Sequence, residues 1–216
     1  MSNETEQAHT QSRGQFIVVT GIDGSGKSTA IDYLQKRLDR TGDILVTREP
    51  GGTAMAEDLR AILLSHRTEQ VDPLTELLLI FAARNQHYRR VIEPALCRGV
   101  TVLCSRWVES TRAYQCYGRG LDSSSVDVLE KMVCGDFQPD LTIVLDIEPE
   151  AGLKRARGRA ELDRIETEDL AFFSKVRRGF LSLAGLEAAS FKIVDATQSI
   201  DRVTDDVLGA VLSLRH

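Results

Sequence analysis

The chain has 216 residues, 42% of them hydrophobic and 27% charged, which suits one soluble domain with a substantial core. A formal net charge of −5 excludes a broad polyanion-binding surface, so nucleic acid is not an expected partner and any anion site has to be built locally. No apolar run is long enough to span a bilayer, and residues 1–14 lack the hydrophobic stretch of a secretory signal. The expected setting is therefore cytoplasmic, with a short disordered polar leader over 1–14 and a single domain over 15–216.

The apolar runs Phe16–Val19, Ile44–Val46, Val100–Cys104, Leu141–Leu145 and Phe191–Val194 read as strands separated by helix-length segments. That βαβ rhythm predicts an α/β fold with a parallel sheet covered on both faces. Between the first run and a helical pattern carrying Ile31, Leu34 and Leu38 lies Gly21-Ile22-Asp23-Gly24-Ser25-Gly26-Lys27-Ser28. This fits G-x-x-x-x-G-K-[ST], a loop whose backbone N–H groups converge on phosphate oxygens. Lys27 supplies charge for the β- and γ-phosphates, and Ser28 a hydroxyl for Mg²⁺. The chain is thus expected to bind a nucleoside triphosphate. Pro50-Gly51-Gly52 marks a tight loop after the second strand. A long helical pattern runs over 74–96, with Asp72 as cap and Pro73 in the first turn.

Ligands of open α/β sheets bind beyond the carboxyl ends of the strands. There the chain places the phosphate loop, Thr47-Arg48-Glu49-Pro50, Ser105-Arg106-Trp107 and Asp146. Transfer between two phosphates needs local positive charge. One arginine group is Arg48, Arg60, Arg84 and Arg106; the other is Lys154, Arg155, Arg157, Arg159 and Arg164. On a helix, Arg155 and Arg159 share a face and Arg157 points away, while Gly158 weakens helical continuation. A lid over about 154–166 is the expectation, against the plainer reading of a solvated helix face. Cys97, Cys104, Cys116 and Cys134 show neither C-x-x-C pairing nor zinc-ligand spacing and read as reduced, mostly buried thiols, with Cys116 among residues that could line a site.

From about Gln15 to the C-terminal helix the chain resembles bacterial thymidylate kinases, a family of P-loop nucleoside monophosphate kinases. The resemblance rests on the P-loop with Asp23, Thr47-Arg48-Glu49-Pro50-Gly51-Gly52-Thr53, Phe81-Ala82-Ala83-Arg84, Arg106, Ala113-Tyr114-Gln115, Gly118-Arg119-Gly120-Leu121-Asp122, Pro139-Asp140-Leu141-Thr142 and the arginine-rich stretch from Leu153 to Arg164. It implies a three-layer α/β/α P-loop fold with a five-stranded parallel sheet, an arginine-rich lid, and transfer of phosphate from ATP–Mg²⁺ to dTMP.

By the same resemblance Asp23, Lys27, Arg106 and Arg159 carry the catalysis. ATP is expected on Gly21, Ile22, Asp23, Gly24, Ser25, Gly26, Lys27, Ser28 and Thr29, with Arg155 and Arg159, and Mg²⁺ on Ser28 and Asp23 with phosphates and waters. The dTMP residues are Glu49, Pro50, Arg60, Phe81, Arg84, Arg106, Thr111 and Gln115. Arg106 grips the acceptor phosphate, Arg84 lies near the thymine, and Thr111 and Gln115 read its edge. Ser25 is uncharged, so the lid has to supply the charge. Ser105 replaces an aspartate common in the family. The slot four residues before Arg84, often aromatic, holds Ile80; Phe81 is the expected stacking residue and Ile80 the alternative. Homodimer formation is implied, and Leu77-Leu78-Leu79-Ile80 serves either that contact or the core. Two other functions fit the motifs: a kinase for another (deoxy)nucleoside monophosphate, or a nucleotide-binding regulator with weakened catalysis.

Overall fold

The computed structural model describes residues 13–38, 43–158 and 162–215. Most of the expected leader, together with Arg159, lies outside them. Strands β1 (Phe16–Thr20), β2 (Ile44–Arg48), β3 (Thr101–Ser105), β4 (Leu141–Asp146) and β5 (Phe191–Asp195) form one parallel sheet in the order β2-β3-β1-β4-β5. All five coincide with the apolar runs of the sequence, within two residues at each end. Central β1 is fully buried, and its alternate side chains feed two separate cores.

Ile17 and Val19 join the core under α1 (Lys27–Leu38), α8 (Leu170–Leu186) and α9 (Ile200–Leu212). Phe16 and Val18 join the opposite core, under α3 (Pro73–His87), α4 (Glu93–Cys97) and α6 (Ser123–Cys134). Phe16, Tyr88, Trp107 and Phe137 form an aromatic cluster there, with ring centroids 5.0–6.1 Å apart. Helix α2 (Ala54–Leu64) packs on α3 and is capped by the Thr53 hydroxyl, which accepts from the Ala56 N–H. Asp72 caps α3 as expected, with Pro73 in the first turn.

The helix expected over 74–96 is not uniform. A π-helical turn, Tyr88–Ile92, separates α3 from α4. Pro94 follows in α4 and has no N–H for the carbonyl four residues back, so the wider turn re-registers the ladder. A second π-helical stretch, Arg112–Gly118, follows the short α5 (Val108–Thr111) and carries Tyr114 and Gln115. Helix α7 (Pro149–Arg157) carries Lys154, Arg155 and Arg157 and is capped by Gly158. All four cysteines are free thiols; Cys104 and Cys134 are buried, Cys116 packs beside the α3 core, and Cys97 is exposed.

Candidate active site

The loop from Gly21 to Gly26 leaves β1 and leads into α1, as the motif requires. Gly21, Gly24 and Gly26 have φ of 137°, 77° and 99°, backbone that a side chain would strain. At Gly24 a Cβ would lie 1.9 Å from the Gly152 carbonyl oxygen, so the loop is seated directly on α7. Lys27 Nζ donates to the Gly21 and Ile22 carbonyls at 3.1 and 2.8 Å and lies 3.8 Å from Asp23. Ile22 is a core residue, so its side chain anchors the loop and its backbone belongs to the cradle.

Arg106 sits just past β3 in left-handed backbone, φ 72°, unusual for a residue with a side chain. Its N–H donates to the Val19 carbonyl, which ties the turn to β1. The guanidinium thereby turns back over the phosphate loop. Nη2 donates to Asp23 Oδ1 at 2.5 Å and to the Tyr114 hydroxyl at 3.2 Å, and Nη1 to the Gly21 carbonyl at 3.2 Å. The Tyr114 hydroxyl donates a hydrogen bond to Asp23 Oδ2 at 2.9 Å. Burial pushes the Asp23 carboxyl up, but the Arg106 and Lys27 charges and the Tyr114 hydrogen bond outweigh it and hold it at about 2. Asp23 is ionised at any physiological pH.

Two pockets meet at Asp23 and Arg106. One is lined by Gly24, Gly26, Lys27, Ser28, Arg48, Arg60 and Ser105, besides Glu49, Ala156 and Glu166. Four cations, Lys27, Arg48, Arg60 and Arg106, converge on this cleft, alongside the carboxylates of Asp23, Glu49 and Glu166. Burial, then Arg48 and Arg106, press the Arg60 guanidinium below its ordinary value, as expected where cations gather around a place for an anion. Asp23 and Ser28 face this cleft, and no cluster of three or more acidic, His or Cys ligands occurs among the described residues. One hydroxyl beside one carboxylate fits a hard cation that keeps waters and takes most of its ligands from phosphates.

The second pocket is lined by Pro50, Leu63, Leu64, Ile80, Arg84, Trp107, Ser110, Thr111, Tyr114, Gln115, Asp163 and Ile165, besides Glu49, Arg60 and the shared pair. Arg84 is buried and locked: Nε donates to Glu49 Oε2 at 2.7 Å and Nη2 to Thr111 Oγ1 at 2.9 Å. Glu49 is held in turn by His87 Nδ1 at 3.2 Å, and His87 Nε2 meets Thr47 Oγ1 at 2.7 Å. Arg84 Nη1 and Gln115 Oε1 are buried with no hydrogen-bond partner among the described residues. One is a donor and the other an acceptor, both on residues that line this pocket.

The structure places the two candidate stacking residues differently. Phe81 does not line the pocket; it is 2% exposed in the α3 core, with the Arg84 guanidinium 4.6 Å above its ring. Trp107 flanks the same guanidinium at 5.2 Å. Ile80 faces the pocket instead, one residue earlier and therefore about 100° around the helix. Phe81 thus braces Arg84, and the alternative reading, Ile80, supplies the apolar wall. Thr29 and Arg155 line a third cleft with Ala196, Gln198 and Thr204, and Arg155 donates to the Ala196 carbonyl. The loop after β5 carries no motif, so this cleft was not legible in the sequence. Trp107 stood at the expected ligand edge, Tyr114 in the quoted Ala113–Gln115 motif and Asp163–Ile165 in the expected lid, but none was given an individual role; Glu76 was not singled out at all, since an acidic position in a helix's first turn reads as packing or capping.

Beneath the second pocket lies Glu109, 7% exposed, with Thr142 Oγ1 3.4 Å from Oε1 and no partner for Oε2 among the described residues. Burial raises its carboxyl from 4.5 to about 7. The folded protein then retains a proton that the unfolded chain releases, so this group lowers stability as pH rises from about 4.5 to 7. Glu109→Gln is expected to match wild type near pH 4.5 and exceed it above pH 7, by up to about 3 kcal/mol at 1.36 kcal/mol per unit. Urea unfolding of both proteins across that range checks this; a pH-independent difference contradicts it.

A glycine-rich phosphate loop on β1, four converging cations and an adjoining pocket beyond the sheet's carboxyl edge define a P-loop phosphotransferase. The sequence profile of the thymidylate kinase family matches residues 19–207. A thymidylate kinase of Pseudomonas fluorescens is 50% identical over 191 residues, covering 88% of this chain and 91% of that protein. Those of Teredinibacter turnerae and Pseudomonas syringae pv. tomato are 47% and 48% identical, covering 92% and 94% of this chain and 97% and 99% of theirs. The chain belongs to the thymidylate kinase family.

Proposed function

We propose that the protein transfers the γ-phosphoryl group of ATP to dTMP, giving dTDP and ADP. The observation that carries this reading is the pair of orphaned groups in the second pocket. Thymine offers an acceptor at O4 and a donor at N3–H. Arg84 Nη1 donates to the first and Gln115 Oε1 accepts from the second, with Thr111 holding Arg84 in place. Ile80, Leu63, Leu64 and Trp107 enclose the ring.

The acceptor phosphate then lies toward Arg106, Arg60 and Asp23, where the two pockets meet, with the sugar near Asp23 and Tyr114. The triphosphate occupies the Gly21–Ser28 cradle, and its base the third cleft beside Thr29, Arg155 and Gln198. Ser28, with Asp23 beside it, would hold Mg²⁺ together with phosphate oxygens and waters; the ion would neutralise charge between the β- and γ-phosphates. An acceptor phosphate oxygen attacks the γ-phosphorus in line, the bond to the β–γ bridging oxygen breaks, and ADP leaves. The attacking group is already an anion, so no general base is needed. Lys27 stabilises the transferring group, Arg106 holds the acceptor, and Asp23 acts by fixing Arg106. Arg159 is proposed for the donor phosphates on the resemblance alone.

A second copy of the chain is the proposed partner. Neighbouring helices α3 and α6 expose Leu74, Leu78, Val128 and Met132, while Leu77 and Ile80 of the same run point inward. Single exposed apolar residues are ordinary, but a patch shared by two adjacent helices supports a homodimer face.

Calorimetric titration with dTMP and dCMP tests the site. Cytosine presents a donor where thymine has O4 and an acceptor at N3, so both contacts become clashes of like groups. dTMP is expected to bind at least about 100-fold more tightly. Equal affinities would show that Arg84 and Gln115 do not read the base.

A further inference from the structure

Glu76 stands in the first turn of α3 and is 1% exposed. In the fold it contacts Gln115, which lines the acceptor pocket, and Arg164, which stands between the pocket residues Asp163 and Ile165. Oε1 accepts from Gln115 Nε2 at 2.7 Å. Oε2 accepts from Arg164 Nη2 at 2.6 Å. Arg119 Nε donates to Oε1 at 3.2 Å, while its Nη1 reaches Glu168 at 2.5 Å. Arg164 is further tied to the α2 end, through the Leu63 and Leu64 carbonyls. Its neighbours Asp163 and Ile165 are walls of the acceptor pocket.

We infer that Glu76 is a positioning residue that sets the base specificity of the pocket by fixing which end of the Gln115 amide faces the substrate. The argument is one of hydrogen-bond polarity. An ionised carboxylate can only accept, so the amide must turn its NH₂ toward Glu76 and its oxygen toward the base. An oxygen there accepts from thymine N3–H and repels cytosine N3. Burial pushes the Glu76 carboxyl up, but the Arg164 hydrogen bond and the Arg119 charge outweigh it and hold it below its ordinary value, so the polarity persists through the physiological range. The same carboxylate pins Arg164, and with it the Asp163–Ile165 wall, so base reading and wall placement share one anchor. This inference rests on the assignment of the pocket to dTMP.

The test is Glu76→Gln, which keeps the shape but can present either a donor or an acceptor to Gln115. The ratio of kcat/KM for dTMP over dCMP is expected to fall at least tenfold, with KM for ATP within about twofold of wild type. Gln115→Met should lower the ratio comparably, and the double variant should fall no further than the larger single effect. A purely structural Glu76 would instead reduce both acceptors equally, and that result overturns the inference. If Glu76→Gln does not fold, Glu76→Asp keeps the charge facing Arg119 and Arg164 but withdraws the oxygen from Gln115. An unchanged ratio in that folded variant also overturns it. Wild-type protein that fails to prefer dTMP at all would refute the assignment of the pocket, a result distinct from either.

Discussion

Arg106→Ala is expected to lower kcat/KM for dTMP by roughly 10³-fold while leaving ATP affinity within about threefold of wild type. The guanidinium stands on the wall shared by the phosphate cleft and the acceptor pocket, where an incoming phosphate needs a cation most. It is aimed there by left-handed backbone that costs about 1–3 kcal/mol, held by the Val19 carbonyl and by the Asp23–Tyr114 pair. Arg106 touches the triphosphate cradle only through the Gly21 carbonyl and Asp23; the loop is also seated on Gly152 and anchored by the Ile22 side chain, so its N–H groups and Lys27 should hold their places without Arg106. Asp23 would lose its nearest cation, so its carboxyl would rise from about 2. Lys27 and Tyr114 remain, so it stays ionised at neutral pH and no new titration should enter the pH–rate profile there. Arg106→Lys should restore little, because a single ammonium cannot span Gly21, Asp23 and Tyr114 as a planar fork does. Steady-state kinetics with each substrate varied, plus ATP binding by calorimetry, separates the cases; equal loss of both affinities contradicts the placement.

The second large effect is on stability. Glu49→Gln is expected to destabilise the fold by about 3–5 kcal/mol, lowering Tm by roughly 10 °C, and to raise KM for dTMP several-fold. Glu49 and Arg84 are both 2% exposed at the side chain, so neither has water to replace a lost partner. Glu49 uses both oxygens, one for Arg84 and one for His87, and a glutamine offers only one acceptor. Without that brace Arg84 keeps its stacking on Phe81 and Trp107 but loses the direction of its free Nη1. Denaturant unfolding measures the first consequence and initial rates the second. A stability loss below 1 kcal/mol would mean that the ion pair is not the buried lock described.

The sheet was legible because its strands are short apolar runs, nearly continuous in the buried β1, β3 and β4, and still apolar enough in the edge strands β2 and β5 to stand out between helix-length segments. The phosphate loop was legible because its glycines and Lys27 stand at a spacing few other structures require. Arg84, Thr111 and Gln115 could be placed in the pocket from the family resemblance, and the structure brings them together. What periodicity could not reveal is direction within a helix: Ile80 and Phe81 are both apolar, and only the packed structure shows which faces the pocket and which braces Arg84. Nor could it reveal partners far apart in sequence. Gln115 and Glu76 are separated by 39 positions, and Arg164 and Glu76 by 88, so their shared carboxylate emerges only in three dimensions.

The central claim is phosphoryl transfer from ATP to dTMP, and ADP release measured with dTMP, dUMP, dCMP, dGMP and dAMP as acceptors tests it most directly. The expected result is acceptor-dependent ADP release with dTMP giving the highest kcat/KM, matched mole for mole by dTDP. ADP release that dTMP does not raise above the hydrolysis background, or that another monophosphate raises more, would contradict it.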